Sequence, residues 1–206
     1  MRSATVLLCI LSFALASDPI SHRDLRYQEV VGQTDWFTCG PAAAATLLRY
    51  HYDKDTSEAQ MLMLSLGFMQ KPEDEARLSG ITALALRQAM QAKGLLSRGF
   101  RLTPAQLVDY FQRGGLPVLL HVTRPEPHYV VAVGLIGGQL VLADPSWGRR
   151  IMPLAAFDRE KGFSGVALVP TPGEALIATA RTNQARVLSW ALGRLNQLSR
   201  LRNQLP

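Results

Sequence analysis

Apolar positions along this chain change their rhythm twice. Up to about residue 112 they recur at helical spacing, from 117 to 169 they come as short β-rich runs, and beyond 173 leucines return every three or four residues. In the first stretch, Gly40-Pro41 followed by Ala42 to Tyr52 predicts a helix, because proline suits a helix start and the alanine run propagates it. Ser57 to Leu66 predicts a second helix, with Ser57-x-x-Gln60 as its capping box. Ile81 to Lys93 predicts a third that stops at Gly94, and Thr103-Pro104 opens a short one that ends at Gly114-Gly115. Residues 18–32 read as a polar, extended arm and residues 67–79 as a polar loop. In the second stretch Pro117 to Thr123, Tyr129 to Ile136 and Gln139 to Ala143 predict strands, the last two joined by a tight Gly137-Gly138 hairpin turn. Arg149 to Met152 and Ser164 to Val169 predict two more, with one helical turn over Pro153 to Asp158 between them. Helices first and an antiparallel sheet second is the α+β order.

Pro170-Thr-Pro172-Gly173 marks a break, after which Ala175 to Leu205 predicts one long helix. Leu188, Leu192, Leu195, Leu198, Leu201 and Leu205 form a narrow apolar stripe on it. Such a helix either packs on the domain or serves as a docking, dimerisation or anionic-membrane element.

At the other end, Arg2 is the only charge in the first seventeen residues, and the apolar run Val6 to Leu15 is too short to span a bilayer. Ala14-Leu15-Ala16 fits a cleavage site, so residues 1–16 read as a secretory signal peptide and the mature chain starts near Ser17. A retained N-terminal anchor is the alternative. The organisation expected is a signal (1–16), a globular domain (17–170) and a basic amphipathic C-terminal helix (171–206), exported to the periplasm. The 206 residues, 48% hydrophobic and 18% charged, suffice for one domain with a core.

Cys9 lies inside the signal, which leaves Cys39 alone. A single thiol in an oxidising compartment is either a working group or a small buried core residue. Net charge is +6, and between Glu174 and Pro206 five arginines face one acid. No zinc-knuckle, homeodomain or RNP-like pattern accompanies them, so nucleic acid is not an expected partner. His22, His51, His121 and His128 show no metal-ligand spacing, and no cofactor or metal is expected.

The chemistry concentrates in four residues. A thiol attacks as the thiolate, which a helix N-terminus and an adjacent imidazolium both favour. Cys39 sits at the mouth of the first predicted helix. His128 opens an apolar strand and is the candidate base that later gives its proton to a leaving amine. Asp144 closes the next strand, at the same end of the hairpin, and is the candidate orienter of the imidazole. Gln33, six residues before the cysteine, is the candidate oxyanion donor beside the Cys39 backbone N–H. Taken singly, each has an ordinary structural explanation: a strand start, a strand-to-turn boundary, a solvated loop amide. Their order and spacing together are those of a thiol protease.

Five blocks follow one another in order: Gln33-x5-Cys39-Gly-Pro-Ala, Gly80-Ile-Thr-Ala-Leu-Ala-Leu-Arg-Gln-Ala with Gly94-Leu, Leu116-Pro-Val-Leu-Leu, His128-Tyr-Val-Val-Ala-Val-Gly, and Leu142-Ala-Asp144-Pro-Ser. Together, over about residues 28–170, they resemble the double-glycine cysteine peptidases, domains fused to transporters that export bacteriocins. The resemblance implies a papain-like fold and catalysis by Cys39, His128 and Asp144, with Gln33 in the oxyanion hole. It also implies cleavage of a secreted protein or leader peptide after Gly-Gly or similar small residues. Thr38 stands where that family commonly has an aspartate. With a secretory signal and no transporter, the chain is similar to the stand-alone peptidases of functional-amyloid secretion systems. Its expected partners are the exported substrate and, through the C-terminal helix, an outer-membrane export partner. The competing expectation is a catalytically silent domain that binds and escorts export substrates.

Overall fold

The computed structural model describes residues 19–204; the expected signal peptide over 1–16 lies outside them. A helical layer packs against a six-stranded sheet, antiparallel at every pairing, in the order β1-β6-β2-β3-β4-β5. The strands are β1 (Ser97–Arg101), β2 (Val118–Val122), β3 (His128–Ile136), β4 (Gln139–Asp144), β5 (Gly148–Pro153) and β6 (Phe163–Pro170). The helices are α1 (His22–Arg26), α2 (Cys39–Tyr52), α3 (Glu58–Met69), α4 (Glu73–Ser79), α5 (Ala83–Ala92), α6 (Pro104–Gln112), α7 (Leu154–Ala156) and α8 (Glu174–Arg202), and α7 runs on into one π-turn over Phe157–Lys161.

Helix α2 is the spine. It begins at Cys39, one residue ahead of the predicted Gly40-Pro41 start, and Pro41 still costs nothing there because a first-turn N–H has no intrahelical acceptor. Ala42, Ala43, Ala44 and Ala45 are fully buried, as are Leu47 and Leu48. Small side chains let α2 lie close against α3, α5 and β3, and each buried leucine contributes about 1.5–3 kcal/mol. Close approach also explains Gly40: a Cβ there would sit 2.8 Å from Leu86 Cδ1 and 3.1 Å from Tyr129 Cδ2. The capping box of α3 forms as expected, Gln60 N donating to Ser57 Oγ at 3.2 Å and Ser57 N to Gln60 Oε1 at 3.3 Å. A second box, Thr103 with Gln106, starts α6.

The sheet follows the predicted strands closely. Gly137 and Gly138 both have positive φ (53° and 77°), the backbone that a two-residue hairpin turn demands. Three expectations need correction. Residues 67–79 are not a loop: α3 runs to Met69, and Glu73 to Ser79 form α4, its first turn carrying Glu73, Asp74 and Glu75, which suit a helix N-terminus. The 18–32 arm contains a short helix, α1, capped by Ser21. Strand β1 escaped the pattern because it lies at the sheet edge with its side chains exposed, so no alternation marks it.

Helix α8 packs mainly through a face beside its leucine stripe, of which Leu188 lies against the core. Ala180, Asn183, Gln184, Val187 and Ala191 are buried, whereas Leu192, Leu198 and Leu201 are about half exposed. Two buried amides do the docking. Asn183 Nδ2 donates to Asp53 Oδ1 at 3.0 Å, and Gln184 Nε2 donates to the carbonyls of Gly115 (2.9 Å) and Val133 (2.7 Å). Val133 lies where the β3–β4 register shifts, so Gln184 satisfies a carbonyl at a bulge.

Candidate active site

The loop before α2 is knotted by its own side chains. Thr38 Oγ1 donates to the Asp35 carbonyl (2.9 Å) and accepts from Asp35 N (3.1 Å). The Asp35 carboxylate accepts from Trp36 N at 2.7 Å and pairs with Arg77 of α4, whose guanidinium lies 4.6 Å over the Phe37 ring. Thr38 is thus buried and spent on this turn. The turn sets Cys39 at the first position of α2, only 6% exposed, with its N–H free of any intrahelical carbonyl.

Gln33 bridges the two halves of the molecule. Its backbone N–H donates to the Pro145 carbonyl at 3.0 Å, across to the sheet side. Its Nε2 donates to the Asp35 carbonyl at 3.0 Å, which uses one of two amide hydrogens; its Oε1 is buried without a partner.

On the sheet side, His128 is the first residue of β3 and Asp144 the last of β4, brought together by the hairpin. His128 Nε2 lies 2.9 Å from Asp144 Oδ1. The same oxygen accepts from Ser146 N (2.9 Å) and Ser146 Oγ (2.8 Å), and Arg150 stands 3.7 Å from Oδ2. Burial alone would raise the Asp144 carboxyl, but the His128 and Ser146 hydrogen bonds outweigh it and hold it below the ordinary carboxylate range. Burial likewise pulls the His128 imidazole down. Hydrogen bonding and charge from Asp144 on one side and Cys39 on the other win, and push it up to about 9. With Nε2 turned to Asp144, Nδ1 is the nitrogen left for Cys39.

The structure therefore gathers Cys39, His128 and Asp144 into one chain of interactions and sets Gln33 in the same cavity as His128 and Asp144. That arrangement can hold a proton on an imidazole beside a thiol and present amide donors to a carbonyl oxygen. Among the described residues no three of His, Cys, Asp and Glu gather as a metal site.

Sequence reasoning passed over Ser146, Arg150, Trp36 and the Asp35–Arg77 pair. Ser146 was readable, since Asp-x-Ser after a strand is a side-chain-bonded turn. Arg77 was not, because it comes from a helix read as a loop. Trp36, 58% exposed, is the ridge between two cavities. One, about 210 Å³, lies on the imidazole side and includes Gln33, His128, Asp144 and Ser146; the other, about 580 Å³, lies on the thiol side and includes Phe37, Cys39, Ile81, His121 and Tyr129.

A model of the Peptidase C39 family matches residues 27–175. The "Probable functional amyloid protease FapD" of Pseudomonas aeruginosa is 28% identical over 148 residues, 71% of this chain and 62% of the relative. The match thus spans less than two thirds of that relative's length. Among solved structures, the peptidase domain of Streptococcus ComA, described as a bi-functional ABC transporter involved in a quorum-sensing pathway, superposes with a TM-score of 0.58 at 28% identity, covering 70% of this chain and 98% of that domain. A double glycine motif protease from an AMS/PCAT transporter, solved with its leader peptide, gives a TM-score of 0.57 at 28% identity and covers 70% and 91%. The helices and antiparallel sheet described above are those of papain-like peptidase domains.

Proposed function

Given that this chain belongs to the peptidase C39 family, we propose that it is a cysteine endopeptidase that works in the periplasm and cuts a secreted protein or its leader after Gly-Gly or similarly small residues, in support of functional-amyloid or peptide secretion. One observation carries the reading: His128 is hydrogen-bonded to Asp144 at 2.9 Å and faces Cys39, with its imidazole pushed up to about 9, so near neutrality it holds the proton that a leaving amine needs.

Cys39 Sγ attacks the scissile carbonyl carbon, and the carbonyl oxygen takes the negative charge. The Cys39 N–H and the free Gln33 amide hydrogen stabilise that oxygen; one such donor is typically worth ~3 kcal/mol. As the C–N bond breaks, His128 gives its proton to the departing amine and an acyl-thioester remains on Cys39. His128, now neutral, takes a proton from water, whose oxygen attacks the thioester. The acid product leaves and the thiol–imidazole pair is restored. Asp144 fixes the ring throughout.

Support for small residues at the cut comes from how nearly sealed Cys39 is, with Trp36, Phe37 and Tyr129 around the same cavity. The link to amyloid or peptide secretion rests on the FapD relative and the transporter peptidases. The exposed leucines and arginines at the far end of α8 are the proposed docking element for an export partner. Removing residues 193–206, beyond the last buried position, should impair secretion while leaving the fold intact; normal secretion by that truncation would count against this role.

The peptidase itself is tested by comparing N-termini of exported proteins between wild-type and Cys39→Ala cells by mass spectrometry. A small set of N-termini preceded by Gly-Gly and missing from the mutant is the expected result. Identical N-termini together with a secretion defect would instead identify a domain that binds and escorts.

A further inference from the structure

The smaller cavity has a character the reaction does not require. Its floor is apolar, made by Val122, Val130, Leu142 and the fully buried Phe157, while Arg124 and Lys161 stand in its wall. Neither cation has a carboxylate within ion-pair distance among the described residues. Of the two acids that border this cavity, Asp144 is taken up by His128 and Ser146, and Glu126 stands at the junction with the thiol-side cavity and lines both.

The wall is built. The segment after β2 is stitched to the π-turn by Thr123 N to the Lys161 and Gly162 carbonyls (3.1 and 3.0 Å) and Arg124 N to the Lys161 carbonyl (2.9 Å). Thr123 Oγ1 to the Gly162 carbonyl (3.0 Å) and Arg124 Nη2 to the Asp158 carbonyl (3.2 Å) complete it. A π-turn is rare, and such turns recur at functional sites. This one begins at Phe157 on the floor and ends at Lys161 in the wall. The chain accepts irregular helix here, and the result is two unneutralised cations over a greasy base.

The reaction assigns this cavity a side. The acyl half of a substrate stays on Cys39 Sγ, and the amine half departs toward the imidazole that protonates it. Cys39 borders the other cavity, and His128 borders this one. We propose that the Arg124–Lys161 cavity is a subsite for the leaving half of the substrate, and that it selects an acidic side chain within the first two positions after the scissile bond. Its stem rests on Phe157 and Val130 and its carboxylate meets the two cations. The assignment rests on the peptidase reading above.

The test uses the whole chain and three peptides that share one acyl half ending in Gly-Gly and differ after it in Glu, Gln or Lys. Glu should exceed its isostere Gln in kcat/KM by about tenfold, the effect of one partly desolvated charge contact, with Lys lowest. The Glu:Gln ratio should fall to about one in the Arg124→Gln/Lys161→Gln double variant, and Lys161→Glu should move the preference toward Lys. Equal rates for Glu and Gln, or a preference that survives the double variant, would overturn the subsite and leave the peptidase standing. Should no peptide be cut, the peptidase reading is what fails. The subsite is then judged alone by calorimetric binding of the Glu and Gln leaving-half peptides to Cys39→Ala: about tenfold tighter binding of Glu upholds it, and equal binding sinks it.

Discussion

Cys39 stands at the end of a helix whose inner face is alanine and leucine packed without room for one more methyl at Gly40. His128 and Asp144 stand at the ends of two neighbouring strands, where the aspartate oxygen alone accepts three hydrogen bonds. The nucleophile's place is thus set by volume, and the base's place by donors and acceptors. A packed apolar site fails when volume changes; a hydrogen-bonded carboxylate fails when a donor or its charge is lost. The two halves of the site should therefore fail in different ways, and substitutions can separate them.

The largest effect falls on the hydrogen-bonded half. Asp144→Asn keeps the shape but loses the charge that orients and holds the imidazolium, and kcat/KM should drop by about 10³-fold or more in peptide cleavage. It also moves the pH dependence. The His128 value is raised in the fold from 6.5 to about 9, so its stabilising contribution is complete below pH 6.5 and is lost as pH climbs through 9. Urea titrations should show that loss in the wild type and a much smaller one in Asp144→Asn, and the alkaline limb of activity should shift downward in parallel. An unchanged limb would mean that Asp144 does not hold the proton on His128.

Gln33→Ala comes next, with kcat lower by about 10²-fold and KM nearly constant, as expected for a donor used only when the oxyanion forms. A rise in KM alone would reassign Gln33 to substrate binding. Gly40→Ala probes the packed half. Its Cβ must displace Leu86 and Tyr129, so thermal unfolding should reveal a loss of about 1–3 kcal/mol, with residual activity per folded molecule close to normal. If activity fell and stability held, packing would not be what places the thiol. The smallest change is Ser146→Ala, which removes one of three donors to Asp144 Oδ1; about 0.5–1.5 kcal/mol, or a few-fold in kcat/KM, is expected.

Much of this was legible in the sequence because it is local. Capping at Ser57, the Gly137-Gly138 turn and the strand runs each depend on residues a few positions apart, and the hairpin carries His128 and Asp144 to one end. What escaped depends on distant partners. Helix α4 reads as a polar loop until Arg77 is seen reaching Asp35 and Phe37. The buried face of α8 mixes small apolar residues, Ala180, Val187 and Ala191, with two amides, Asn183 and Gln184, that meet backbone carbonyls and an aspartate, so a search for leucines finds only its margin at Leu188. Sequence spacing proposes Gln33 as the donor, yet only the fold shows its backbone pinned to Pro145.

The strand order leaves β1 as an open margin of the sheet, with unpaired backbone groups along one side. Such a margin is a template: any extended chain with free amide groups can add to it and seed further addition. Here the margin is five residues long and interrupted by Gly99, and Arg98 and Arg101 bracket it with like charge. A second copy of this strand would have to bring its own arginines alongside. The fold thus keeps this edge too short and too cationic to nucleate cross-chain β-assembly, a safeguard that is separate from any chemistry at the thiol.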